Sequence, residues 1–235
     1  MDYESLLELV KKRRSTHRFR PEPIPDEYVD KIIEVARWAP SGANSQPWEF
    51  IVIKKEELKQ KIVQLIKEHR TLTYKMELTR EPALRFPGQA SPVERFGFED
   101  APVFIILCGD TRTKQSYPLY TVFQRGQSNF DSSLANAFLY MHLAATTLGL
   151  GSQWVSAIRN FFVQCLVKDL LGIPTELEIY DMMAVGYPAS EPRPRLIRAK
   201  KEMVHHDYYD KTKFRTEEKV KDFIASLRKT GAGAH

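Results

Sequence analysis

Ala39-Pro40-Ser41-Gly42-Ala43-Asn44-Ser45-Gln46-Pro47-Trp48 is the stretch on which the reading of this 235-residue chain turns. Its prolines, glycine and short polar side chains break any regular element, so it must separate two of them. Before it, Pro25 and Asp26 open a helix whose stripe of Tyr28 or Val29, Ile32, Ile33 and Ala36 recurs at helical spacing. After it, residues 49–53 (Glu-Phe-Ile-Val-Ile) read as a buried strand. A helix that stops at a rigid polar turn and restarts as a strand is the local plan of the fold.

Working outward, residues 4–14 place Leu6, Leu7 and Val10 on one helical face and end in a basic turn that complements the helix dipole. Residues 20–25 hold three prolines and are extended. Residues 55–69 form an amphipathic helix, and residues 71–100, which mix prolines, arginines and aromatics without a period, read as a lid or substrate insertion. The apolar run 103–108 is a central strand, and Asp131 is expected to cap a long helix reaching Leu148, ended by Gly149-Leu150-Gly151. A helix over 161–171, a short strand over 182–185, a basic extended tail over 192–210 and a last helix over 217–227 follow, and 230–235 is expected to fray. Helices outnumber strands without regular alternation, and no linker or repeat is evident. The expectation is one α+β domain over 1–235, a sheet covered by helices.

Composition narrows the class. At 43% hydrophobic and 28% charged residues the chain can build a sizeable core. No apolar run approaches the length of a membrane span, so no membrane partner is expected. The polar opening Met-Asp-Tyr-Glu does not read as a targeting address, and two cysteines without a framework point to a reducing, cytoplasmic setting. The net charge of +5 raises the rival of a basic nucleic-acid-binding module using residues 11–14 and 193–201. Acids interleave with the bases elsewhere, and no helix-turn-helix, RNA-binding or zinc-finger signature supports it, so no nucleic-acid partner is expected. His205-His206-Asp207 lacks the spaced partners of a metal site, and none is expected. Neither a Rossmann nor a phosphate-loop fingerprint occurs.

Four non-periodic polar segments carry the chemistry: Arg13-Arg14-Ser15-Thr16-His17-Arg18-Phe19; the 39–48 stretch; Gly149-Leu150-Gly151-Ser152-Gln153-Trp154-Val155-Ser156; and Gly186-Tyr187-Pro188 with the basic residues after it. In this order and spacing they resemble the nitroreductase family. The likeness runs from Arg13 to about His205, and the Ala-Pro-Ser-x-x-Asn-x-Gln-Pro-Trp block is its most specific part.

The resemblance implies a mainly antiparallel central sheet flanked by helices, an extended C-terminal segment and a homodimer with active sites at its interface. It also implies an FMN-dependent, ping-pong oxidoreductase that takes electrons from NAD(P)H to a small acceptor such as a nitroaromatic or quinone. The alternative within the family is reductive dehalogenation or other specialised flavin chemistry, since fold alone does not choose. Arg13, Arg14 and Ser15 are then expected on the FMN phosphate, which favours guanidinium and hydroxyl donors. Arg193, Arg195 and Arg198 are candidates for the other half of that clamp, and His17 for a contact with the flavin. Pro40, Ser41, Gly42 and Asn44 are expected to reach the partner subunit's flavin. Trp154, Ser156 and Ala157 lie where relatives meet the isoalloxazine, with Ser156 tuning N5. Within 71–100, Tyr74, Arg80, Arg85, Arg95 and Phe96 are candidate substrate contacts with no motif behind them, and His142 reads as a core or interface histidine.

Overall fold

The apolar run that predicts a central strand becomes β2 (Val103–Asp110), in which every residue up to Gly109 is buried. The structure, a computed structural model, describes residues 2–86, 89, 92–191 and 195–229. The described residues group into two compact units, one drawn from Met1–His69 and Arg95–Glu191 and the other from Arg70–Glu94 and Pro192–His235.

In the first unit β2 pairs with β1 (Trp48–Ile53) on one side and β4 (Leu177–Gly186) on the other, and β4 pairs with β3 (Gly151–Val155) at the far edge. All three pairings are antiparallel. Strand side chains alternate between faces, so β2 and β4 feed two cores. Ile105, Leu107, Tyr180 and Met183 join Ile32 of α2 (Asp26–Ala36) and Phe130, Phe138 and Met141 of α4 (Leu119–Thr147). Phe104, Ile106, Ile179 and Met182 join Ile62 and Ile66 of α3 (Glu56–Leu78) and Val163 and Val167 of α5 (Phe161–Leu171). The sheet is thus antiparallel yet covered on both faces, which is why its central strand reads as a continuous apolar run.

A register shift between Leu107 and Cys108 marks a bulge opposite β4. There Leu107 faces Asp181 while Cys108 faces Ile179, so Tyr180 is left over. A bulge of this kind re-aims side chains. Tyr180 and Asp181 consequently both come close to Trp154.

Three sequence expectations need correction. Asp131 is not a cap: α4 begins twelve residues earlier behind Pro118, and Asp131 lies inside it, paired with Arg159 at 2.8 Å. The added turns expose Leu119, Tyr120 and Phe123, so their pattern does not point at the unit's own core. The 71–100 stretch is not loop throughout, because α3 continues to Leu78 and a 3-10 turn spans Pro82–Leu84. Finally, Gly151–Val155, read only as part of a non-periodic polar segment, is an edge strand, and the last strand starts at Leu177, earlier than its apolar centre suggests.

The second unit contains the end of α3, the Pro82–Leu84 turn, an extended segment from residue 195 with 3-10 turns at Lys200–Glu202 and Lys211–Lys213, and α6 (Glu217–Lys229). Within it the Arg228 guanidinium lies 4.4 Å from the Phe86 ring centroid. Residues 230–235, expected to fray, lie outside the described residues.

Candidate active site

The first, third and fourth polar segments meet at the β3 edge of the sheet. α1 (Tyr3–Lys12) ends in extended backbone at Arg13, and the chain then runs along β3. Ser15 forms a parallel bridge with Ser152, and the Thr16 amide donates to the Ser152 carbonyl at 2.9 Å. Further along, Phe19 bridges Pro188, Arg20 N–H donates to the Tyr187 carbonyl, and Ala189 N–H donates to the Arg18 carbonyl. Close approach of segment and strand depends on Gly151, where an added Cβ would lie 2.3 Å from Thr16 Oγ1. Arg13, Ser15 and His17 are each half-buried along this strip. Arg14 turns back to the carbonyls of Lys11 and Arg13 and closes the end of α1.

Beneath the strip lies a buried polar group. The Ser152 hydroxyl sits 2.7 Å from His142 Nδ1, while His142 Nε2 is buried without a hydrogen-bond partner. Burial, and next the nearby Arg13 charge, hold His142 neutral, with its pKa down at about 3. Its ring stacks on Trp154 at 5.7 Å between centroids, and Trp154 Nε1 donates to Asp181 Oδ2 at 2.7 Å. Asp181 Oδ1 is buried and unpartnered, and burial lifts that carboxyl to about 6 despite the Trp154 hydrogen bond. Beyond Trp154 the strand ends in a 3-10 turn, Ser156–Arg159, where Ser156 and Ala157 are exposed. Trp154 keeps 41% of its surface open.

The 39–48 turn is strained and held. Ala43, Asn44 and Gln46 all take left-handed φ values, 50°, 52° and 42°. For non-glycine residues that conformation costs about 1–2 kcal/mol each, and it persists where surroundings over-determine it. Here α4 supplies the restraint: Gly42 N–H donates to Ser133 Oγ at 3.1 Å and Asn136 Nδ2 donates to the Pro40 carbonyl at 3.0 Å. Ser41 Oγ accepts from the Gln46 amide at 3.0 Å. Of the four residues expected to reach a flavin, Asn44 carries this strain, while Pro40, Ser41 and Gly42 take part in the hydrogen bonds that hold the turn.

Other candidates are placed differently. Arg195 and Arg198 belong to the second unit, and Arg193 lies outside the described residues. Arg85 donates to the carbonyls of Arg80 and Leu78, closing the end of α3, while Arg80 pairs with Glu77 at 3.1 Å. Tyr74 is half-buried on α3. Arg95 pairs with Asp100, and Phe96 stacks on Phe98 at 5.2 Å. All three candidate substrate arginines are therefore engaged locally. Asp181, Ser133 and Asn136 were missed from the sequence. A lone carboxylate inside the apolar run 179–185 was the available signal for Asp181.

A half-buried guanidinium and an adjacent hydroxyl, with a neutral histidine behind them, make a donor set suited to a phosphate dianion. The residues present fit FMN in that respect. The nitroreductase family profile matches residues 10–187, and the chain belongs to this family. Its fold is nitroreductase-like. A protein of Archaeoglobus fulgidus provisionally assigned as an NADH dehydrogenase/NAD(P)H nitroreductase is 29% identical over 188 residues, spanning 80% of this chain and 88% of that one. Iodotyrosine deiodinase 1 of Rattus norvegicus is 26% identical over 191 residues, covering 80% of this chain but 64% of its own length. A crystal structure of oxidized iodotyrosine deiodinase bound to FMN and 3-iodo-L-tyrosine superimposes with a TM-score of 0.68, at 26% identity, over 87% of this chain and 100% of that one. Among the described residues no helix is long and apolar enough to cross a membrane, and no group of acids, histidines and cysteines is arranged to hold a metal ion.

Proposed function

We propose that the protein is an FMN-dependent oxidoreductase that acts as a homodimer, passing electrons from NAD(P)H to a small organic acceptor such as a nitroaromatic or quinone. The observation that carries this reading is the Ser15–Ser152 bridge, which sets the Arg-Arg-Ser segment along the strand that leads into the Ser156 turn. When bound, FMN supplies the redox chemistry, taking a hydride from the nicotinamide and delivering two electrons to the acceptor in a separate half-reaction.

The chain's own residues bind and orient. Arg13 and Ser15 hold the phosphate, and a guanidinium from Arg195, Arg198 or Arg193 completes its neutralisation. Ser156 and Ala157 present a hydroxyl and backbone amides toward N5, and Trp154 packs at the same edge. His17 contacts the ring or ribityl chain. The strained turn of Pro40, Ser41, Gly42 and Asn44 closes on the ring from the partner subunit. Residues 71–100, with Tyr74, Arg85, Arg95 and Phe96, select the acceptor. The free thiols Cys108 and Cys165 suit a reducing, cytoplasmic setting.

Reductive dehalogenation is the second reading, favoured by the deiodinase likeness in both sequence and structure. One anaerobic assay separates them. Holoprotein reduced with NADH or NADPH is mixed with a nitroaromatic, a quinone or an iodinated phenol, and flavin reoxidation and iodide release are followed. Reoxidation by the first two without iodide release supports the main reading; iodide release coupled to reoxidation supports the second. Failure of both nicotinamides to reduce the protein overturns the NAD(P)H assignment.

A further inference from the structure

A cavity of about 580 Å³ lies wholly within the second unit, between the tail and α6. Its wall carries five cations, Arg198, Lys201, Lys213, Arg215 and Lys219, against the single carboxylate of Glu202. Two of the cations are held in place. Lys213 Nζ donates to the Val204 carbonyl at 3.0 Å and pairs with the Asp210 carboxylate at 3.6 Å, and the Arg215 guanidinium lies 5.6 Å from the Phe223 ring centroid. Arg198 reaches Glu202 only weakly, at 3.8 Å from Nε, and that Nε is shielded without a hydrogen-bond partner.

With Arg198 and Lys213 each set against one carboxylate, Lys201, Arg215 and Lys219 leave the concavity a net positive charge that attracts an anion. The same cavity is also aromatic: Phe214 is 65% exposed and Phe223 lines the floor. Planar rings stack on exposed aromatics and guanidinium planes, while lysines and arginines take phosphate oxygens. Its volume is that of a small-molecule site and too small for a folded partner. Thr212 adds a hydroxyl at the rim.

We propose that this cavity is a second ligand site, which binds a nucleoside phosphate with the base on Phe214 and the phosphate among Lys201, Lys213 and Lys219. The site uses none of the residues from Arg13 to His17. Arg198 alone is shared with the candidates for the FMN phosphate, so the test leaves it untouched.

Calorimetric titration of the FMN-saturated protein with AMP, adenosine and inorganic phosphate, at roughly 0.05 M salt so that surface charge is not screened out, reads the site directly. AMP is expected to bind at least about tenfold more tightly than either fragment. The double variant Lys201→Glu, Lys219→Glu and the single variant Phe214→Ala are each expected to weaken AMP about tenfold or more while FMN content, read from visible absorbance, stays at the wild-type value. No saturable heat with AMP would overturn the proposal, as would phosphate binding as well as AMP, or an unaltered Phe214→Ala. A short single-stranded oligonucleotide displacing AMP at lower concentration than AMP itself would also overturn it, in favour of a nucleic-acid surface. Loss of yellow colour in the wild-type protein would count against the flavin reading and leave the AMP result to stand alone.

Discussion

Ser15 and Ser152 are bridge partners, and the Ser152 hydroxyl lies 2.7 Å from the buried His142 Nδ1. The exposed end of α1 is thereby tied to the interior of the fold through one serine, and the Arg13 charge is felt at His142.

Gly151 makes that tie possible, so Gly151→Ala should break it. The new Cβ would meet Thr16 Oγ1 at 2.3 Å and Thr16 Cγ2 at 2.8 Å. Overpacking of this kind costs about 1–3 kcal/mol. Calorimetric melting should show that loss, with a larger relative loss of bound FMN because the Arg13–Ser15 segment is displaced. Adding Thr16→Ala should recover part of both. Unchanged melting and FMN content in the single variant would show that the segment does not need the close approach.

The polar group under the strip predicts opposing pH dependences. The Asp181 carboxyl keeps its proton up to about pH 6 in the native state, against an ordinary value of 3.8. The native state therefore binds more protons over that interval, and stability falls as pH rises through it, by about 3 kcal/mol in all. His142 runs the other way. It stays neutral down to about 3 where the unfolded chain takes up a proton near 6.5, so stability falls as pH drops through that window. Asp181→Asn should thus gain about 1–3 kcal/mol at high pH and little at low pH, whereas Trp154→Phe, which strips the carboxylate of its indole donor, should lose about 1–3 kcal/mol, more at high pH. Urea midpoints across the range measure both. An Asp181→Asn effect independent of pH would contradict the assignment.

Phe123, Tyr120 and Leu119 expose 80%, 71% and 72% of their surface on one end of α4, and α1 buries no residue despite its apolar stripe. Apolar surface on this scale suits the proposed homodimer interface. Phe123→Glu should shift the protein toward monomer in sedimentation, and FMN should dissociate in parallel, because the Pro40–Asn44 turn is supplied by the partner in the proposed site. Wild-type protein that sediments as a monomer at working concentrations would contradict the homodimer.

Elements that bury a face of their own were legible in the sequence. The stripe of α2 and the run of β2 point inward at a core the same chain provides, and both helix and strand were read close to their true bounds. What failed to show was structure whose apolar side faces elsewhere. The first turns of α4 expose their aromatics, and α3 past His69 exposes Leu72 and Met76, so neither gives a core-facing period. β3 hid because Gly-Ser-Gln-Trp-Val has glycine where a neighbouring segment must approach and polar residues on an edge. The candidate site was half legible. Its motif residues stood out as non-periodic polar stretches, but Ser133, Asn136 and Asp181 act from inside regular elements, where one polar residue among many leaves no spacing to read.

The most direct measurement is the dissociation constant of FMN for the wild-type protein and for Arg13→Ala, Ser15→Ala. Saturable binding by the wild type near one FMN per chain, weakened about tenfold to a hundredfold in the double variant with its melting temperature little changed, is the predicted result. A wild-type protein that does not bind FMN, or a double variant that binds it equally well, would contradict the account.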